Sequence, residues 1–302
     1  MVEKIKITFL GTADQIPSET RNHSAILITF KDENILVDCG EGTQRQFRKA
    51  HLNPCKVTKI LLTHWHGDHT LGIPGLLQTL ASSTYNGKLE ICGPKGIKFL
   101  IKGLTDLYGF HKKNKLDYEV KEVSGKFFEN EDFYLEAAKM EHGIPCNAYS
   151  FVIKDKLRID KNKIEKLKIF GPVIKDLKEK KNIVYEGKKY NWKDLTYLEK
   201  GKKISIVLDT YMNARIIPFV KNSDILVCES SFDKTLKNKA KEHLHLTSAD
   251  AGNIAKKAKV GKLLLTHVGQ RYENQPELLL EQARKIFKEC FFVKDLDSLE
   301  LN

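Results

Sequence analysis

The apolar residues of this chain of 302 residues come in short runs, each closed by a turn signal, and none approaches the roughly 18 residues a bilayer span needs. Residues 5–10 read as a strand stopped by Gly11, residues 24–30 as a second and residues 35–38 as a third. Further strands are expected over 59–63, 133–138, 204–208, 224–228 and 262–266. Between them lie helical segments: one from Pro74 through residue 80, one opened by Thr247-Ser248-Ala249-Asp250, and one over 276–288. Early hairpins followed by strand–helix units predict sheets covered by helices, an α/β layered fold. With 41% hydrophobic and 30% charged residues the chain is neither disordered, collagenous nor a coiled coil. Residues 1–11 have strand character rather than that of a secretion signal, so a cytoplasmic protein with no membrane segment is expected. Six cysteines without a CxxC pair read as reduced, mostly buried small hydrophobes.

Charge is unevenly placed. The net charge is +12, yet residues 151–203 alone carry 17 Lys and Arg against 8 Asp and Glu, a local +9. A merely solvated surface would spread the excess, whereas a local concentration suits a surface that meets phosphates. The same stretch has weak periodicity and breaks the strand–helix rhythm, which marks it as an inserted arm. Only seven of the 51 basic residues are Arg, so lysine enrichment of a heat-adapted kind explains the excess equally well.

Chemistry concentrates after the expected strand 59–63, where the chain reads His64-Trp65-His66-Gly67-Asp68-His69. Three histidines and a carboxylate in one tight loop can present a cluster of neutral imidazole and carboxylate donors, which suits zinc or a similar borderline ion. Alternation lets His64 and His66 point one way while Asp68 and His69 serve a second position.

The run His64–His69 resembles the HxHxDH signature of the metallo-β-lactamase superfamily. The segment from Val37-Asp38-Cys39-Gly40-Glu41-Gly42 to Thr43-Gln44-Arg45-Gln46 is similar to that superfamily's first motif, in the form found in the ribonuclease Z family of tRNA 3′-processing endonucleases. Pro17-Ser18-Glu19-Thr20-Arg21-Asn22 resembles the PxKxRN loop of that family, with Glu19 where the family has Lys. The resemblance implies a four-layer αββα sandwich formed by residues 1–302, with 151–203 as an inserted basic arm.

It also implies a site. His142, Asp209 and His267 match the remaining metal ligands, so His64, His66 and His142 would hold one ion, Asp68, His69 and His267 a second, and Asp209 would bridge. Two Zn²⁺ per chain are implied, with Mn²⁺ or Fe²⁺ open alternatives. Asp38 would orient a histidine ligand. The family's mechanism, attack of a hydroxide shared by the two metals on a phosphodiester, assigns Asp68 to the catalytic set beside Glu229 and His245. These two form a family pair in which the histidine gives a proton to the leaving alkoxide. His243, two residues earlier, competes with His245 for that role.

For RNA contacts the resemblance points to Arg21, Asn22 and Arg271, and to Gly171 and Pro172, the Gly-Pro element of an arm that grips the tRNA body. It implies a homodimer that removes the 3′ trailer from precursor tRNA and leaves a 3′-hydroxyl. A metallo-β-lactamase-fold hydrolase of small phosphodiesters or thioesters would share the ligands but would need neither the 17–22 loop nor a basic arm.

Overall fold

Alternation along the strands sorts the apolar residues onto two faces. In the computed structural model, which describes residues 4–83, 85–109 and 116–301, one sheet has seven strands. Their order is Ser298–Leu301, Ile5–Gly11, Ala25–Phe30, Glu33–Val37, Lys59–Leu61, Leu89–Gly93 and Tyr118–Glu122. The strands from Glu33–Val37 onward run parallel, and the earlier pairings are antiparallel. Met1, Val2 and Glu3, within the stretch 1–11 read as strand-like rather than as a secretion signal, lie outside the described residues.

On this sheet Leu10, Leu27, Leu36, Ile60 and Ile91 pack with helix residues Phe47, Ile73, Leu76, Leu77, Ile97 and Ile101. Their neighbours Ile7, Ile26, Ile28, Ile35 and Val37 are equally buried and must point to the other face.

A second sheet of seven strands repeats the logic, with the order Cys290–Phe292, Lys262–Thr266, Ile225–Glu229, Lys203–Val207, Ile144–Ile153, Phe133–His142 and Gly125–Glu129. Its first four strands are parallel. Val207, Leu226, Cys228, Leu263 and Leu265 pack on helix residues Ile216, Val220, Ala251, Ile254 and Ala255, while Ile206, Val227 and Leu264 are buried on the opposite side. The two inner faces meet: the Phe30 and Phe151 rings lie 5.6 Å apart, edge to face, and the buried Tyr149 hydroxyl donates to the Leu62 carbonyl at 2.7 Å. The layers therefore run helix, sheet, sheet, helix.

The expected helix opened by Thr247 runs Ser248–Ala258 and starts with a capping box between Thr247 and Asp250. The last helix stops at Arg284, short of the expected 288. Helix Ile97–Leu107 lies outside the sequence expectations; Ile97, Ile101 and Thr105 form its buried face, while Phe99 and Leu107 are each 80% exposed. Among the described residues no helix is long and apolar enough to cross a membrane. All six cysteines are free, and Cys55 is the only one not buried.

Two compact units divide the chain. The larger comprises residues up to 128, 135–151 and 203 onward, and the smaller 129–134 and 152–202. In the smaller, strands Lys156–Ile159 and Thr196–Glu199 pair antiparallel, as do Ile183–Tyr185 and Lys188–Tyr190. Three short helices complete it, Lys161–Lys166, Ile174–Lys178 and Trp192–Leu195. Ile164, Ile169, Leu177, Ile183 and Leu195 form its own small core. Each element contributes only one or two core residues, which is why periodicity is weak there.

Candidate metal centre

Where strands end, the backbone turns sharply. Asp38, Asp209 and His267, all buried, adopt φ of 58°, 38° and 55°, a left-handed conformation that costs a non-glycine residue roughly 1–3 kcal/mol. Asp38 follows strand Glu33–Val37, Asp209 comes two residues after Lys203–Val207, and His267 follows Lys262–Thr266. Gly40 makes the crowding possible, since a Cβ there would meet the Asp68 carbonyl oxygen at 2.3 Å.

Two donor sets result. In the first, His66 Nδ1 lies 3.0 Å from His64 Nε2 and 3.1 Å from His142 Nε2. Asp209 Oδ2 stands 3.6 Å from His64 Nε2 and 3.5 Å from His142 Nε2. In the second, His69 Nε2 and His267 Nε2 are 3.3 Å apart, and Asp68 Oδ2 lies 3.2 Å from the former and 3.4 Å from the latter. Asp209 Oδ1 completes this set at 3.5 Å from His69 Nε2 and 3.1 Å from His267 Nε2. The structure thus brings together all seven residues expected to hold metal, and Asp209 has one oxygen toward each set.

Hydrogen bonds behind the donors fix which nitrogen faces inward. Asp38 Oδ2 accepts from His69 Nδ1 at 2.7 Å, and the Leu244 carbonyl accepts from His142 Nδ1 at 3.2 Å. Thr63 Oγ1 donates to Asp38 Oδ2 at 2.8 Å and contacts His64 Nδ1 at 3.0 Å. Ser231 Oγ donates to Glu229 Oε2 at 2.8 Å and contacts His267 Nδ1 at 2.9 Å. In His64, His69, His142 and His267 the Nδ1 is thereby occupied and the Nε2 left for the centre, whereas His66 turns its Nδ1 inward; the outer hydrogen bonds also strengthen the imidazoles as ligands. Sequence reasoning found Asp38 but missed Thr63 and Ser231, because a lone hydroxyl residue carries no spacing signal.

The donor chemistry fits divalent cations. Asp209 Oδ1 is buried without a hydrogen-bond partner despite the two nearby histidine nitrogens, and an unsatisfied buried carboxylate oxygen is costly. Burial, reinforced by His69, holds His64 well below the usual histidine range, so it stays a neutral donor. Around His69, burial is outweighed by Asp209, Asp38 and Asp68, which raise its pKa well above the usual value. Carboxylates packed so tightly call for positive charge, which a metal ion supplies.

Beside this centre, His245 Nδ1 donates to Glu229 Oε2 at 2.8 Å, while its Nε2 lies 4.0 Å from Asp209 Oδ2. Burial alone would lower the His245 pKa, but Glu229 and Asp209 prevail and raise it to about 9. Glu229 is fully buried, and its other oxygen accepts from the Thr210 backbone N–H at 2.7 Å. Glu229, His245 and His267 also lie close enough to form a third donor group, yet both Glu229 oxygens are already engaged. A cleft of about 490 Å³ opens onto His66, Asp68, His142, Asp209, His245 and His267.

The residues expected to contact RNA are placed differently from one another. Arg271 is exposed on the cleft wall. Arg21 is 7% exposed and turned inward: its Nη1 donates to Thr12 Oγ1 at 2.6 Å and to the Val293 carbonyl at 3.0 Å, and its guanidinium lies over Phe292. That corrects the expectation for Arg21, whose guanidinium is committed to holding the 17–22 loop. Asn22 is half-buried and donates to the Glu41 carbonyl at 2.6 Å, while Glu19 is exposed. Gly171, at φ 88°, and Pro172 are exposed just before helix Ile174–Lys178.

Comparison with known proteins adds three findings. Residues 5–178 match the family described as "Anti-Pycsar protein Apyc1". The ribonuclease Z of Nanoarchaeum equitans is 36% identical over 297 residues, covering 97% of this chain and 92% of that protein, and the ribonuclease Z of Clostridium novyi is 36% identical, covering 96% and 97%. Among solved structures, human tRNase Z, short form, superposes with a TM-score of 0.70 at 27% identity, covering 97% of this chain and 98% of that one. The metallo-β-lactamase fold protein YhfI from Bacillus subtilis superposes with a TM-score of 0.72 at 20% identity, a likeness of fold alone. The architecture is the metallo-β-lactamase sandwich.

Proposed function

The chain belongs to the ribonuclease Z family, and over residues 5–178 to the family described as "Anti-Pycsar protein Apyc1"; from that membership and the site geometry we propose that it is a metal-dependent endoribonuclease that removes the 3′ trailer from precursor tRNA. The observation that carries this reading is Asp209, whose two oxygens face separate histidine sets in a cleft also lined by His245, which the buried Glu229 holds from behind.

His64, His66 and His142 would hold one cation, Asp68, His69 and His267 the other, with Asp209 shared between them. Two zinc ions so held would activate a water and neutralise the phosphate oxygens on which charge develops. The chain's own residues do the rest. Asp38, Thr63, Ser231 and the Leu244 carbonyl keep the imidazoles aimed. Glu229 holds His245 by Nδ1, so its Nε2 keeps a proton that faces the cleft. Attack on phosphorus breaks the P–O3′ bond, and that proton goes to the departing 3′-oxygen, leaving a 3′-hydroxyl on the tRNA and a 5′-phosphate on the trailer.

Residues 151–203, at net charge +9, are read as the arm that grips the tRNA body, since duplex RNA is held mainly through phosphates and shape. The small core within 152–202 supports a module that folds around its own residues. A homodimer and a cytoplasmic location complete the reading. Incubating the metal-loaded protein with a 3′-extended precursor tRNA, a thioester and a β-lactam in parallel tests it: trailer removal without turnover of the other two is expected, and the reverse pattern would favour a small-molecule hydrolase.

A further inference from the structure

Phe232 sits at the lip of the metal cleft, one residue after Ser231, and two flat polar groups are laid against it. The His243 ring lies 6.1 Å away, centroid to centroid, and within 11° of parallel. The Arg271 guanidinium carbon lies 5.2 Å from the Phe232 centroid. Phe232 itself is 7% exposed, whereas His243 and Arg271 are exposed. These separations are those of offset stacking and of cation–π contact.

The assembly is held in place from both sides. The Tyr272 hydroxyl donates to Asp233 Oδ2 at 2.7 Å and accepts from the Asp233 backbone N–H at 2.9 Å, which ties the loop carrying Phe232 to the turn carrying Arg271. Leu244, at φ 57°, turns the chain between His243 and His245 and separates their tasks. His245 takes Glu229 as partner, while the His243 imidazole makes no hydrogen bond among the described residues. An exposed, parallel-stacked ring without a polar partner is poorly built to deliver a proton and well built to take a planar ligand.

We infer that His243, backed by Phe232 and flanked by Arg271, is a shelf on which a nucleobase stacks. Its position says which base. His245 must reach the departing 3′-oxygen, and that oxygen belongs to the last nucleotide retained on the tRNA. Besides the rings of His142 and His267, at 4.9 and 5.7 Å, His245 has Phe232 beside it at 6.0 Å, and His243 stacks on Phe232. The base of that last retained nucleotide is therefore the one the shelf meets. Stacking tolerates any base because each has a π face, so the shelf positions the substrate with little sequence preference. The inference rests on the proposed nucleic-acid substrate.

Its test separates stacking from proton transfer. On precursor tRNA, His243→Ala is expected to lower kcat/KM roughly tenfold, the scale of one lost base–aromatic contact. His243→Phe keeps the flat ring without titratable nitrogens and should stay within about threefold of wild type, on the same scale. On a precursor abasic at the last retained nucleotide, wild type and His243→Ala should be equal. A second readout needs no turnover: 2-aminopurine at that position, in a non-cleavable phosphorothioate dinucleotide, should be quenched by wild type and His243→Phe but not by His243→Ala. The shelf is overturned if His243→Phe is as impaired as His243→Ala, or if the alanine loss persists on the abasic substrate. Failure to cut precursor tRNA with quenching intact would refute the trailer-removing function and leave the shelf standing.

Discussion

Oε2 of Glu229 lies 2.8 Å from Nδ1 of His245 and holds the imidazole with its second nitrogen toward the cleft, 4.0 Å from Asp209. A carboxylate fully removed from solvent thus fixes both the orientation and the charge of the histidine beside it. His245→Ala should lower the cleavage rate roughly 10²–10⁴-fold, the range for a lost general acid. Metal content, read by elemental analysis, should be unchanged. A variant that loses its metals instead would place His245 among the ligands.

Ser231 joins the same carboxylate to His267 Nδ1 at 2.8 and 2.9 Å. Ser231→Ala removes that bridge while leaving every ligand in place. Metal affinity, titrated against a competing chelator, should fall roughly 10–100-fold, as for other residues that orient a ligand. Unchanged affinity would mean that strand geometry alone aims His267.

Metal removal should destabilise the fold as well as stop the reaction. Asp209 Oδ1 has no hydrogen-bond partner, and carboxylates crowd the buried histidines, so ions that bind the folded chain shift the unfolding equilibrium toward it. Thermal unfolding with and without exhaustive chelation should give a lower Tm for the apo protein, restored by Zn²⁺. Asp209→Ala should lower the metal content and narrow that difference. Equal Tm values in both states would contradict a metal centre at these residues.

Much of this was legible in the sequence because the metal-binding residues follow strands. The run 59–63 followed by His64–His69 exposes both the strand and the ligands it delivers, and 204–208 and 262–266 do the same for Asp209 and His267. What stayed hidden has no period or spacing. Ser231 and Thr63 act through a single hydroxyl. Arg21 looked like a free cation, since sequence cannot tell a guanidinium facing RNA from one facing the Val293 carbonyl. His243 and His245 are equivalent by spacing, and only the turn at Leu244 assigns one to Glu229 and the other to Phe232.

The basic arm should separate binding from chemistry. Ile159 and Thr196 are paired neighbours in an antiparallel ladder, so residues 160–195 can be replaced by a two-residue Asn-Gly turn that closes the strands. KM for precursor tRNA should rise on the order of tenfold and its salt dependence flatten, because fewer counterions are released. Hydrolysis of bis(p-nitrophenyl) phosphate should be much less affected. Equal losses on both substrates would show that the segment supports the fold of the site.

The most direct measurement is the chemistry of the ends. Precursor tRNA is cut by the zinc-loaded protein and both products are analysed by mass spectrometry. Water attack with proton transfer from His245 predicts one cut, a 3′-hydroxyl on the tRNA and a 5′-phosphate on an intact trailer. A 2′,3′-cyclic phosphate, which requires attack by the neighbouring 2′-hydroxyl, or a ladder of single nucleotides, which requires exonucleolytic trimming, would contradict it.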